Sequence, residues 1–313
     1  MLNLQNLEFA VQISSSLCAD KVLDKLNQNG ISKSDVQICY KTGTVIVKSD
    51  LPSSLILNAI EKSGYKAVLK GYGSSNYDVN LGAAVAMLCN STGHSDSGIN
   101  GVVRFIQLNE NECLVDGTID GLSPGKHGIH IYECGDLSNG CENIGEHLNF
   151  GQTLHGNQTD DPNNRHTGDL GNITANEEGR AIFYFKDKLI NVSNLIGRSI
   201  GITEHEDDCG RTRINKSEID GNSGKKMSKL KLYRENITFL RNSSGIWYNP
   251  VVFQKYFKSN LFIYKNKIAC GIIARSSGLF ENSKKICACD GVTLWEERDV
   301  PLAGPGRQRK NNN

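Results

Sequence analysis

The chain has 313 residues, enough for two ordinary domains and a tail. Its net charge of +1 gives no whole-protein attraction to nucleic acid or an anionic membrane, and no stretch approaches the roughly 18 uninterrupted apolar residues of a membrane helix. Ten cysteines behind an opening "MLNLQNLEFAVQI" that lacks a basic n-region and a cleavage site point to a cytoplasmic protein with metal or redox chemistry, not a disulfide scaffold.

Residues 1–72 read as a βαββαβ, ferredoxin-like unit. "LEFAVQI" (7–13) is a strand and "LCADKVLDKLNQNG" (17–30) an amphipathic helix closed by Gly30. "VQICY" and "TVIVKSD" flank Lys41-Thr42-Gly43, a hairpin with glycine at the turn. Pro52 opens a second helix that ends at Gly64, and "YKAVLKG" is the last strand. The Gly/Ser/Asn composition of "GYGSSNYD" (71–78) marks a linker, with the domain break across 73–78.

From 79 to 275 the pattern changes to short strands separated by Gly, Asn and Asp, which suggests an antiparallel sandwich or barrel. Residues 227–266 interrupt it with nine aromatic, seven basic and one acidic residue and no burying period. A loop that long is uncommon inside a compact domain, so the segment is either a binding arm or a retained non-coding segment of the gene. Residues 276–313 form a largely unstructured tail in which Cys287 and Cys289 stand one residue apart.

Six of the seven histidines lie between His94 and His166. The set His147, His155, His166 and Asp169 offers three imidazoles and a carboxylate, enough for a closed tetrahedral zinc site. Spacing alone leaves scattered, water-satisfied loop histidines as an equal alternative. Cys39 is expected in the core, and the Asn-x-Ser/Thr triplets at Asn172 and Asn191 are expected to be chance matches.

"GKHGIHIYECGD" (125–136), "CENIGEHLNF" (141–150), "RHTGDLGNITANEEGRA" (165–181) and "KIACGII" (267–273) resemble copper/zinc superoxide dismutase in order and spacing. The resemblance implies an eight-stranded Greek-key β-barrel with a long zinc loop. It carries the zinc ligands onto His147, His155, His166 and Asp169, the intrasubunit disulfide onto Cys141 and Cys270, and the carboxylate bridging the two metal sites onto Asp207. It also places the four copper histidines at His130, Tyr132, His147 and Thr203, so two are lost. Tyr132 would have to give up a phenolic proton of pKa about 10, Thr203 is no useful copper ligand, and the family's register argues against a substitute role for the neighbouring His205. Lys267 stands where the family has a substrate-guiding arginine. The implication is a dismutase shape without the dismutase reaction.

"GIIARSSGLFENSKKICACDGVTLWEERDVPLAGPGR" resembles the C-terminal domain of the copper chaperones for superoxide dismutase, and the βαββαβ unit resembles their N-terminal domain. The resemblance implies that Cys287 and Cys289 bind Cu(I), for which thiolates are the preferred soft ligands, and pass it to an immature dismutase while helping to oxidise its disulfide. It implies structural Zn(II) in the barrel and a transient heterodimer with a superoxide dismutase subunit, with a homodimer as a resting alternative and no copper donor identified. The docking face falls on Gly135, Ile196-Gly197 and Gly271-Ile272-Ile273. The family's N-terminal Met-x-Cys-x-x-Cys loop is degenerate: Ile13 and Ser15 replace its Met and first Cys, so Cys18 is its one remaining thiol. A dismutase-like enzyme and a zinc-binding scaffold without copper delivery are the alternatives.

Overall fold

The computed structural model describes residues 4–74, 81–90, 98–211, 267–282 and 295. The interrupting segment 227–266 and the pair Cys287/Cys289 lie outside the described residues.

The N-terminal unit is a four-stranded antiparallel sheet in the order β2-β3-β1-β4, with β1 at Gln5–Val11, β2 at Val36–Cys39, β3 at Thr44–Ser49 and β4 at Ala67–Ser74. Helix α1 (Ser16–Gln28) starts where the Ser15 side chain accepts the Cys18 amide, and it buries Val22 and Leu26. Helix α2 (Ser53–Glu61) follows Pro52 and buries Ile56, Ala59 and Ile60, the i, i+3, i+4 stripe of a half-covered helix. Gly30 and Gly64, just beyond the two helices, adopt positive φ, so both expected stops hold.

Two expectations fail here. Residues 71–74 are strand, not linker: β4 runs on to Ser74 and pairs with β1 through Leu7↔Tyr72 and Gln5↔Ser74. The glycines serve close approach instead of a turn, because a Cβ on Gly71 would overlap the Gly278 carbonyl and one on Gly73 would press on Leu279. The start of the tail is correspondingly seated. Phe280 donates its amide to Glu8 (2.6 Å), Lys70 Nζ pairs with the other Glu8 oxygen (3.0 Å), and Gly278 bridges to Tyr72. Cys39 is the second failure. It is exposed on the edge strand β2, where alternation buries Val36 and Ile38 further than Gln37 and Cys39.

The remaining eight strands close into an antiparallel barrel: β5 (Ala83–Asn90), β6 (Asn100–Asn109), β7 (Glu112–Asp120), β8 (Gly125–Tyr132), β9 (Asp169–Ala175), β10 (Ala181–Asp187), β11 (Ser199–Thr203) and β12 (Lys267–Arg275). Their order, β10-β7-β6-β5-β12-β11-β8-β9, sets β10 beside β7 and β8 beside β11, a Greek-key arrangement. The barrel interior is filled by residues such as Phe105, Val115, Ile129, Ile200 and Ile273. The long β8–β9 connection holds the metal-ligand candidates.

The two units share a core. Ile106, Leu108 and Leu114 of β6 and β7 point out of the barrel into the cluster formed by Leu7, Phe9, Val47 and Ile60. The Ser53 amide donates to buried Asp116 on β7 (3.2 Å), and Arg104 lies over the Tyr72 ring (5.6 Å). Leu114→Ala is therefore expected to cost about 2–5 kcal/mol, the range for a buried leucine. It should lower one cooperative melt in which β1 and β7 lose hydrogen-exchange protection together. Two separate transitions, only one of them shifted, would show that the units are independent.

Candidate metal centre

Asp169 organises the long loop. Its Oδ2 accepts the backbone amides of Gly156 (3.0 Å) and His166 (2.8 Å), which leaves Oδ1 to face three imidazoles. His147 Nδ1, His155 Nδ1 and His166 Nδ1 lie 3.0, 2.9 and 3.3 Å from that oxygen. Arg165 donates from Nη1 to the Asp169 carbonyl (3.0 Å) and from Nη2 to the Asp187 carboxylate (2.7 Å), so a buried ion pair fixes the strand start on which Asp169 sits.

Three observations fit this set to a tetrahedral ion. Zn–N and Zn–O bonds of about 2.0–2.1 Å give a tetrahedron with edges near 3.3 Å, close to the spacings found. His155 Nδ1 and His166 Nδ1 are buried and make no hydrogen bond among the described residues despite their closeness to Asp169, so their lone pairs converge instead of being capped. His155 also has its tautomer set from behind, because Nε2 faces Asp207 at 2.9 and 3.0 Å.

Asp207 reaches two histidines at once. His130 Nε2 is 2.6 Å from its Oδ2, and His130 stacks on His147 at a centroid distance of 4.0 Å. His130, His147, His155 and Asp169 offer donor atoms within 4.8 Å of one another. Asp207 is held by Asn172, which donates Nδ2 to its carbonyl and accepts its amide, both at 2.8 Å. The Asn172 amide is thus engaged in the structure.

The electrostatics follow from these contacts. Burial raises the Asp169 pKa, but the three histidines outweigh it and hold the carboxyl well below the ordinary range. Asp207 behaves in the same way through His130 and His155. Burial would push His155 down, yet Asp169 and Asp207 together raise it to about 9.

The four residues at which the resemblance places copper ligands are arranged differently. Tyr132 is fully buried, packs with Cys141, Ile144 and Cys270, and carries Lys267 Nζ over its ring at 4.4 Å. The Thr203 hydroxyl contacts the carbonyls of His205 (3.0 Å) and Gly128 (3.3 Å). His205 points away, its side chain 54% exposed beside Glu204. Only His130 and His147 of the four positions bring imidazoles to this place. Cys141 and Cys270 are joined by a disulfide that ties the loop to β12.

Cys18 sits in the first turns of α1, its Sγ 3.1 Å from the Ser15 hydroxyl. Hydrogen bonds from Ser15 first, then Tyr65 and the Ser14 backbone, lower its pKa to about 7. Ser15, where the resemblance expects a cysteine, is both helix cap and thiol partner. Sequence reading missed Arg165, Asp187 and Asn172, which carry no spacing signal because their partners lie on other elements.

Around the paired strands β11 and β12 the residues expected to form a docking face gather unevenly. A Cβ on Gly135 would overlap the Gly197 carbonyl, so these two backbones touch, and Ile196 (40%), Ile272 (41%) and Met87 (52%) are exposed. Gly271 packs against the Met87 carbonyl. Ile273 is a correction: it is fully buried in the barrel core and gives no side chain to a surface.

Residues 99–229 match the family model of copper/zinc superoxide dismutase. Across nearly its whole length the chain is similar to the copper chaperone for superoxide dismutase of Mus musculus, 43% identical over 96% of this chain and 92% of the relative, and to that of Homo sapiens, 42% identical with the same coverage. The chain belongs to the copper chaperones for superoxide dismutase. Members of this family are named for a chaperone's duty, not for catalysis. By contrast, superoxide dismutase [Cu-Zn] 5 of Dictyostelium discoideum is 40% identical over only 42% of this chain and 87% of the relative. Among the described residues no helix is long and apolar enough to cross a membrane.

Two outcomes are expected. Alkylation of Cys18 by iodoacetamide, followed by peptide mapping, should show a pH midpoint near 7, and Ser15→Ala should move it up towards the ordinary thiol value. An unchanged midpoint would remove Ser15 from this role. In the metal-free protein the raised His155 pKa stabilises the fold fully below the ordinary histidine value of about 6.5, and that contribution is lost as pH rises through about 9. Its melting temperature should therefore fall between pH 6.5 and 9 more steeply than that of His155→Gln.

Proposed function

We propose that this chain delivers Cu(I) to a copper-free Cu/Zn superoxide dismutase subunit and promotes formation of that subunit's intrasubunit disulfide. One observation supports the reading: the barrel brings His147, His155 and His166 onto Asp169 and holds a Cys141–Cys270 disulfide, while Tyr132 and Thr203 stand at two positions where the resemblance would place copper histidines. A barrel kept in shape but stripped of its redox site suits a recognition module, in a chain aligned nearly end to end with copper chaperones.

In this reading Zn(II) is held by His147, His155, His166 and Asp169 and supplies structural rigidity to the loop. Asp207 and Arg165 orient the ligands from behind. Without a full set of imidazoles, His130 and His147 do not retain copper, so the chain has no intrinsic dismutase activity. The cargo Cu(I) rides on Cys287 and Cys289, and the single thiolate of Cys18 is too few for a bis-thiolate site. A Cys287–Cys289 disulfide exchanging with the partner's two thiols would leave the tail reduced and the partner oxidised. The partner docks on the face bearing Gly135, Ile196, Gly197, Gly271 and Ile272, where exposed isoleucines and Met87 offer a like-folded barrel an apolar seam. The same face supports a homodimer in the absence of the partner, and the protein works in the cytoplasm.

The test is activation of copper-free, disulfide-reduced dismutase by the Cu(I)-loaded full chain. Cys287→Ser/Cys289→Ser should abolish activation, and Cys18→Ser should leave most of it. Activation surviving in the double variant would overturn delivery by the tail.

A further inference from the structure

β5 and β12 lie side by side in the barrel wall, in a register that sets Cys89 directly opposite Cys270. Residues opposite one another in an antiparallel pair project to the same face, with Cα atoms about 4.5 or 5.5 Å apart according to the hydrogen-bonding class of the pair. Both separations lie inside the range of about 4.4–6.8 Å that a disulfide spans. The alternation of each strand agrees independently. Ala84, Ala86 and Leu88 of β5 and Ala269 and Ile273 of β12 fill the barrel interior, so Cys89 and Cys270 both face outward. Cys270 is already bonded to Cys141, 5.8 Å away between Cα atoms, whereas Cys89 is a free, half-buried thiol. Three sulfurs therefore share one outer corner of the barrel, and two of them can bond to the same Cys270.

We propose that Cys89 exchanges with the Cys141–Cys270 disulfide, giving the chain a second disulfide isomer in which β5 is joined to β12 and the loop bearing Cys141 is released. The Cys89 thiolate attacks Cys270 Sγ, the Cys89–Cys270 bond forms, and the Cys141–Cys270 bond breaks. Cys141 leaves as a thiolate and takes up the proton that Cys89 gave. One disulfide and one thiol stand on each side of the step, so no oxidant or reductant is consumed.

The exchange has a structural consequence because of what Cys141 restrains. It is the covalent anchor of the segment between β8 and His147, which also holds Gly135 against Gly197 and accepts Lys267 Nζ on the Gly145 carbonyl (3.1 Å). Moving the bond to Cys89 removes that anchor and cross-links two strands that the sheet ladder already pairs. The loop then becomes the less restrained part of the barrel, while the strands beneath it are held more firmly.

The experiment uses the oxidised full-length chain held in mildly alkaline buffer, quenched in acid, denatured, alkylated and digested without reduction. Mass spectrometry is calibrated with a synthetic Cys89–Cys270-linked peptide pair, and monomer is separated from covalent dimer beforehand. The parent monomer should yield the Cys89–Cys270 peptide together with alkylated Cys141, and Cys89→Ser should lose that signal and keep Cys141–Cys270 alone. A parent that retains only the Cys141–Cys270 linkage, or that shows Cys89–Cys270 solely in covalent dimers, overturns the proposal.

Discussion

The barrel's chemistry depends on how one carboxylate divides its two oxygens. Asp169 gives Oδ2 to two backbone amides and Oδ1 to three imidazoles. The first set stitches the long loop to the strand start, and the second brings His147, His155 and His166 to a common point. Without the amides the carboxylate could rotate and the imidazoles would lose their focus. Without the imidazoles a buried charge would stand uncompensated, which is costly in a low-dielectric interior. Loop fold and donor geometry are thus two readings of the same contacts.

Asp207 extends this logic to a fourth imidazole, that of His130. It spans His130 and His155, while Tyr132 lies in the apolar cluster with the disulfide and Thr203 contacts backbone carbonyls. Asp207 is buried, and His130 and His155 compensate its charge. In the N-terminal unit the Ser15 side chain caps α1 by accepting the Cys18 amide, a role that a thiol fills poorly.

What the sequence made legible were features with short-range causes. Alternation, helix stripes and Gly30 or Gly64 at helix ends report local backbone requirements, and the matched elements lie within a few residues of expectation. The histidine set was readable through resemblance, although spacing alone left it open. Long-range causes were hidden. Gly71 and Gly73 look like linker glycines because composition cannot separate a turn from a close approach by a segment two hundred residues away. Cys39 was misplaced because nothing local marks β2 as an edge strand. Arg165, Asp187 and Asn172 act across elements, and Ile273 differs from its neighbour Ile272 only in which side of the wall it faces.

The core shared by Ile106, Leu108 and Leu114 with the N-terminal sheet constrains how such a chain can drift over generations. Point changes at exposed positions between β1 and α1, such as Gln12 and Ser14, leave this seam untouched, whereas Ile13 between them is buried in it. Truncation of the same domain would strip three large side chains on the barrel wall of their cover and leave an adhesive patch in water. A domain fused in this way can lose its original task and still be retained, because its removal is a harsher event than its silence.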